Sequence, residues 1–281
     1  MTANASPRTV TGTGTSTVVS RDGTRIAYER VGSGPPLILV DGAFCTRTMG
    51  PGRDLAPALS ERFSVYTYDR RGRGVSGDRA PYAVEREIED LRALIETAGG
   101  TADVFGHSSG ASLALEAARQ GLPIRRLALY EAPMIVDGTR PPVGARFGER
   151  LQALIADERR SAAVKLFMTE AVRVPKIMTV VMPLMPAWAK VTAVAHTVPY
   201  VVAVIGEDAL QGRPLTADRW TDAAIPTLVL AGGKSPAWMR NAMRQLAEVL
   251  PQARLRLLER QTHMVKPAAT APALVEFFAA P

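Results

Sequence analysis

The sequence predicts an α/β fold: a mostly parallel, eight-stranded sheet with helices on both faces and a helical insertion. Three observations carry that prediction. Short apolar or alternating runs recur between helical segments along the 281 residues, the pattern of a parallel sheet wrapped by helices. The pentapeptide Gly106-His107-Ser108-Ser109-Gly110 stands between one such strand and one such helix. From Met134 to about Asp222 the alternation stops, and the chain turns helical, apolar and methionine-rich.

In chain order, Met1 to Ser16 is rich in Thr, Ser and Gly and is expected to be disordered. Ser16–Ser20 and Arg25–Val31 form an opening hairpin around Asp22-Gly23. Leu37-Ile38-Leu39-Val40 is continuously apolar, as in a strand buried on both faces. Phe63–Tyr68 is the next strand, and Tyr82–Thr97 a helix stopped by Gly99-Gly100. Thr101–Phe105 and Ala111–Arg119 are the strand and helix around the pentapeptide. Leu127–Tyr130 and Thr227–Leu230 are core strands. Ala237–Leu250 is a helix, Leu255–Leu258 the last strand and Ala268–Ala279 the closing helix. The expected organisation is a core of residues 17–133 and 223–281, with residues 134–222 as a helical cap.

Composition narrows the function classes. Hydrophobic residues make up 47% of the chain, enough for a large core. The net charge of +7 comes from arginines scattered among acids, as in Glu85-Arg86-Glu87, so no nucleic-acid partner is expected. No apolar run reaches the ~18 residues of a membrane span, and no apolar signal core opens the chain. No membrane partner and a cytoplasmic location are therefore expected. A single cysteine, Cys45, excludes an intrachain disulfide and any cysteine-based metal cluster. No metal or cofactor is expected, and a homodimer stays open.

The pentapeptide is a G-x-S-x-G pattern in a strand–turn–helix setting, which a nucleophile elbow requires. Glycines on either side let strand and helix approach while the serine sits in a strained turn. A Gly/Ser turn can also serve as a simple helix cap. Further motifs weigh against that. Together with Leu37-Ile38-Leu39-Val40-Asp41-Gly42, Asp69-Arg70-Arg71-Gly72-Arg73-Gly74-Val75-Ser76 and Gln261-Thr262-His263, in this order, the pentapeptide makes the chain resemble the α/β-hydrolase family over almost its whole length.

That resemblance implies a cofactor-free serine hydrolase acting on an ester, thioester or lactone of a small apolar acyl compound. A serine hydroxyl is a poor nucleophile until a base takes its proton. The resemblance makes Ser108 the nucleophile and His263 the base, with the backbone N–H groups of Ser109 and Ala43 (Phe44 as the alternative) holding the oxyanion. His107 is expected to pack away from the nucleophile, and His196 to lie in the cap.

The third catalytic position departs from the family. After Leu228-Val229-Leu230 the chain reads Gly232-Gly233-Lys234-Ser235-Pro236, with Ser235 where an aspartate usually stands. Glu131, after the strand ending at Tyr130, is the candidate acid by analogy with members that carry it there; Asp208, Asp222 and Glu259 are weaker candidates. Without an acid, the chain would be a non-catalytic ligand-binding relative. Perhydrolase or C–C hydrolase chemistry is open on the same residues. Asp41 replaces the histidine common before the oxyanion glycine, and its carboxylate is expected to order the turn through backbone N–H groups. Met168, Met182, Met185 and Trp188 are expected to line the substrate pocket, where flexible thioethers suit adaptable walls.

Overall fold

The computed structural model describes residues 14–280. The expected disorder of residues 1–16 lies mostly outside them, and Ser16 already opens a strand. Among the described residues one eight-stranded sheet forms: β1 (Ser16–Val19), β2 (Arg25–Val31), β3 (Pro36–Val40), β4 (Ser64–Tyr68), β5 (Ala102–His107), β6 (Ile124–Tyr130), β7 (Thr227–Gly232) and β8 (Ala253–Leu258). Their order is β1-β2-β4-β3-β5-β6-β7-β8. Only β1–β2 and β2–β4 pair antiparallel; the other ladders are parallel.

Strand β3 shows why the sheet needs two covering layers. Leu37 and Leu39 point into one apolar cluster and Ile38 and Val40 into the other. All four are essentially unexposed, and each contributes about 1.5–3 kcal/mol by leaving water. The first cluster is closed by α1 (Pro51–Leu59) and α10 (Pro267–Phe278). The second is closed by α2 (Val84–Thr97), α3 (Ser109–Arg119) and α9 (Ala237–Val249).

Between β6 and β7 the chain forms helices and no strand. These are α4 (Phe147–Ala156), α5 (Arg160–Glu170), α6 (Lys176–Val181), α7 (Trp188–Ala193) and α8 (Val198–Ile205), with short 3₁₀ turns between and after them. Helix α8 is almost wholly apolar and packs on α3 and α4. Tyr82 and Tyr200 stack with ring centroids 3.8 Å apart, tying the insertion to the core. No helix among the described residues is long and apolar enough to cross a membrane.

Candidate active site

Strand β5 ends at His107, and Ser108 follows with φ 55° and ψ −127°, a backbone state that strains any residue with a Cβ. The surrounding glycines exist for close approach. A Cβ on Gly106 would lie 2.6 Å from the Ala111 Cα and the Gly110 oxygen. One on Gly110 would lie 2.0 Å from the Val40 oxygen. Gly42 is crowded by Ser108 itself, whose Cβ would be 2.9 Å away. Strand β3, the elbow and α3 therefore meet at van der Waals distance, and Ser108 emerges into a cavity of about 540 Å³.

His263 lies in the loop after β8 and lines the same cavity. Three consecutive carbonyls of that loop accept hydrogen bonds. Lys234 N–H donates to the Gln261 oxygen at 2.8 Å, and the Tyr130 hydroxyl to the Thr262 oxygen at 2.7 Å. His107 Nε2 reaches the His263 oxygen at 3.1 Å. Burial pushes the His107 imidazole down to about 3, so the ring is neutral and donates from Nε2. His107 thus anchors the His263 loop and lines the cavity, which is more than the packing role expected from the sequence.

Glu131 follows β6 in a left-handed conformation, φ 48°, and is fully buried. Its Oε1 accepts the Gly232 N–H at 2.7 Å, and its Oε2 stands 2.8 Å from His263 Nδ1. The other acids considered do not approach this histidine: Asp208 stands 3.7 Å from Arg213, and Asp222 and Glu259 are exposed. Ser235 is buried, with its hydroxyl unpartnered.

The turn after β3 is held from behind by arginines. Arg73 Nη1 donates to the Gly42 oxygen at 2.6 Å, and Arg70 Nη1 to the Asp41 oxygen at 3.4 Å and the Ser109 hydroxyl at 3.2 Å. Arg70 is paired through both ends with Glu87, at 2.7 and 2.8 Å. Among the described residues Arg73 has no acid partner within 4 Å; its Nε donates to Thr197 Oγ1 at 3.2 Å. Burial, with the Arg70 charge next, lowers Arg73 to about 10. Because a trans peptide points its C=O and N–H in opposite directions, an oxygen of Gly42 bound to Arg73 turns the Ala43 N–H the other way. Ala43, Phe44 and Ser109 all line the cavity. Phe44 has φ 61° and packs edge-on against Phe167, ring centroids 5.5 Å apart.

Of the four residues expected in the pocket, Met168 lines the cavity. Met182, Met185 and Trp188 do not. Met185 is 55% exposed, Met182 is part-exposed in the 3₁₀ turn after α6, and Trp188 packs against the core cluster from outside. Apolar residues on an outward helix face have the same spacing as those on an inward one, which is why the sequence did not separate them. The cavity walls come instead from α5, α8 and α9, with Phe167, Val201 and Trp238 among them.

A family model described as "Alpha/beta hydrolase family" matches residues 42–273. The chain belongs to the alpha/beta hydrolase family. An alpha/beta hydrolase from Sphaerobacter thermophilus is 54% identical, with 94% of this chain and 100% of that one covered and a TM-score of 0.86. N-formylmaleamate deformylase of Pseudomonas putida is 36% identical over 127 residues, 43% of this chain and 47% of that protein. The chain thus spans about half the length of the curated relative it matches. A thermophilic esterase from Thermogutta terrifontis shares the fold, with 22% identity over 95% of this chain and 98% of that one and a TM-score of 0.68.

Within this hydrolase fold Asp41 has a distinct task. Its carboxyl accepts the Gly52 N–H at the start of α1, at 3.1 and 3.2 Å, and Gly50 and Gly52 leave the space it occupies. Burial outweighs that bond and raises Asp41 to about 7. A carboxyl raised above its unfolded value of 3.8 stabilises the fold fully below that value and loses the contribution as pH climbs through 7. Asp41→Asn should therefore gain stability relative to the wild type between pH 4 and pH 8, by on the order of a few kcal/mol. Paired denaturant curves across that range check this, and a difference that stays constant with pH would rule it out.

Proposed function

We propose that this alpha/beta hydrolase is a cofactor-free serine hydrolase that cleaves a carboxylic ester, thioester or lactone of a small molecule through an acyl-serine intermediate. The observation that carries this reading is the 2.8 Å contact between His263 Nδ1 and Glu131 Oε2, with His263 and Ser108 on one cavity. In this mechanism His263 takes the Ser108 proton as Oγ attacks the acyl carbon. The Ala43 and Ser109 N–H groups hold the oxyanion. His263 then gives the proton to the leaving alcohol, activates a water, and the acyl-serine is hydrolysed. Glu131 keeps the imidazole in the Nδ1–H tautomer and stabilises its cation. Residues 134–222 act as the cap that encloses the acyl group in mainly apolar walls. A non-catalytic ligand-binding role would rest on the missing acid at position 235; the Glu131 carboxyl beside His263 supports the catalytic reading instead.

Amide deformylation is the second reading, favoured by the match to N-formylmaleamate deformylase, and it uses the same residues.

The test is hydrolysis of p-nitrophenyl esters from acetate to decanoate and of an N-formyl amide, wild type beside Ser108→Ala. Release that depends on Ser108, with fluorophosphonate labelling of the wild type alone, is the expected result. Equal rates for the two proteins, or no label, would overturn the reading. Arg73→Met should lower kcat about ten- to a hundredfold with a smaller change in KM, because the freed Gly42–Ala43 peptide no longer holds its N–H toward the oxyanion. A change confined to KM would remove Arg73 from that role.

A further inference from the structure

Arg140 is a buried cation on the cavity wall that the proposed hydrolysis does not use. It lies in the loop between β6 and α4, is 5% exposed, and lines the cavity that holds Ser108 and His263. Its guanidinium sits over the Trp238 ring, 4.5 Å from the centroid. Nη1 donates to the Ala171 oxygen at 3.0 Å and Nη2 to the Glu170 oxygen at 2.8 Å, at the C-terminal end of α5. Those bonds fix the plane of the group. They leave Nε–H buried without a partner.

No carboxylate of the described residues lies within 4 Å of Arg140. Glu170 turns its side chain to Arg150 instead, at 2.6 and 2.9 Å. Asp54 lines the same cavity from α1 and makes no ion pair with Arg140. Burial, with the Arg173 charge next, lowers Arg140 only to about 10, so it carries its charge at neutral pH. A buried cation is ordinarily matched by an anion. A guanidinium fixed in plane, with donors to spare, is the group that takes a carboxylate best.

Resting on the serine-hydrolase reading, we infer that Arg140 is a specificity subsite for a carboxylate on the acyl part of the substrate. The substrate class is then a half-ester or half-amide of a dicarboxylic acid. Its reacting carbonyl sits at Ser108, its chain lies along the apolar walls, and its free carboxylate meets Arg140. The cavity, mainly apolar with the Arg140 cation unmatched and Asp54 apart from it on α1, fits this class better than a plain fatty ester.

Two measurements test it. The first compares kcat/KM for p-nitrophenyl half-esters of adipic, suberic and sebacic acid with that for the same compounds masked as methyl esters. The expected wild-type ratio exceeds tenfold in favour of the free acid at one chain length. That ratio collapses toward one in Arg140→Gln, survives in part in Arg140→Lys, and holds within twofold in Arg173→Gln, which does not line the cavity. A purely structural arginine capping α5 would lower both rates together and leave the ratio unchanged; that result, or a wild-type ratio near one, overturns the subsite while ester hydrolysis stands. The second measurement is calorimetric binding of suberate to wild type and Arg140→Gln, which needs no turnover. Binding lost in the variant supports the subsite even if no ester is cleaved. No binding to wild type overturns it.

Discussion

Replacing Glu131 with Gln is expected to lower kcat on any cleaved ester by roughly 10³- to 10⁴-fold, while the apparent melting temperature changes little. The geometry gives the reason. The Gln carbonyl can still accept the Gly232 N–H that Glu131 Oε1 accepts now at 2.7 Å. Its NH₂ then faces His263 Nδ1, where a carboxyl oxygen stands at 2.8 Å. An amide NH₂ donates, so Nδ1 must become the acceptor and the ring proton moves to Nε2. A histidine protonated at Nε2 cannot take the Ser108 proton. Steady-state rates with a melting curve check this, and near-wild-type turnover would exclude Glu131 from the machinery. Ser235→Asp is not expected to rescue the variant, because Ser235 is buried with its hydroxyl unpartnered, so a carboxylate there would be desolvated with no bond to hold it toward His263.

Gly110→Ala should destabilise the fold by about 3 kcal/mol or more, lowering the apparent melting temperature by roughly 6–12 °C. The added Cβ would meet the Val40 oxygen at 2.0 Å and the Asp41 oxygen at 2.7 Å. Both are backbone atoms of β3 and its turn, so no rotamer change relieves them. The control is Gly138→Ala, where a Cβ meets nothing within 4 Å and the expected change is within about 0.5 kcal/mol. A Gly110→Ala protein as stable as the control would mean that β3 and α3 are not held this closely.

The strands were legible because a doubly buried strand leaves an unbroken apolar run, as Leu37 to Val40 does. Helix α1 was not. Pro51, Gly52 and Pro57 fall within its nine residues, and those residues read as loop punctuation. Its start is stabilised from a distance, by Asp41 eleven positions earlier, and no local pattern records that. Ser108 and His263 were placed by motif and order. Glu131 needed an analogy, since a single acid after a strand has no signature. The pocket walls were the least legible. Met182 and Met185 have the composition of a lining and stand outside the cavity, Met185 facing outward, whereas Arg140 looks like any loop arginine until folding buries it.

The bond from Gly232 N–H to Glu131 also divides the work between two strands. The end of β7 still serves the site, but through its main chain, while the side chain comes from β6. Main-chain atoms leave no trace in an alignment. A motif screen keyed to residue 235 would therefore file this protein among the pseudoenzymes of its family, although a buried carboxyl stands beside its histidine.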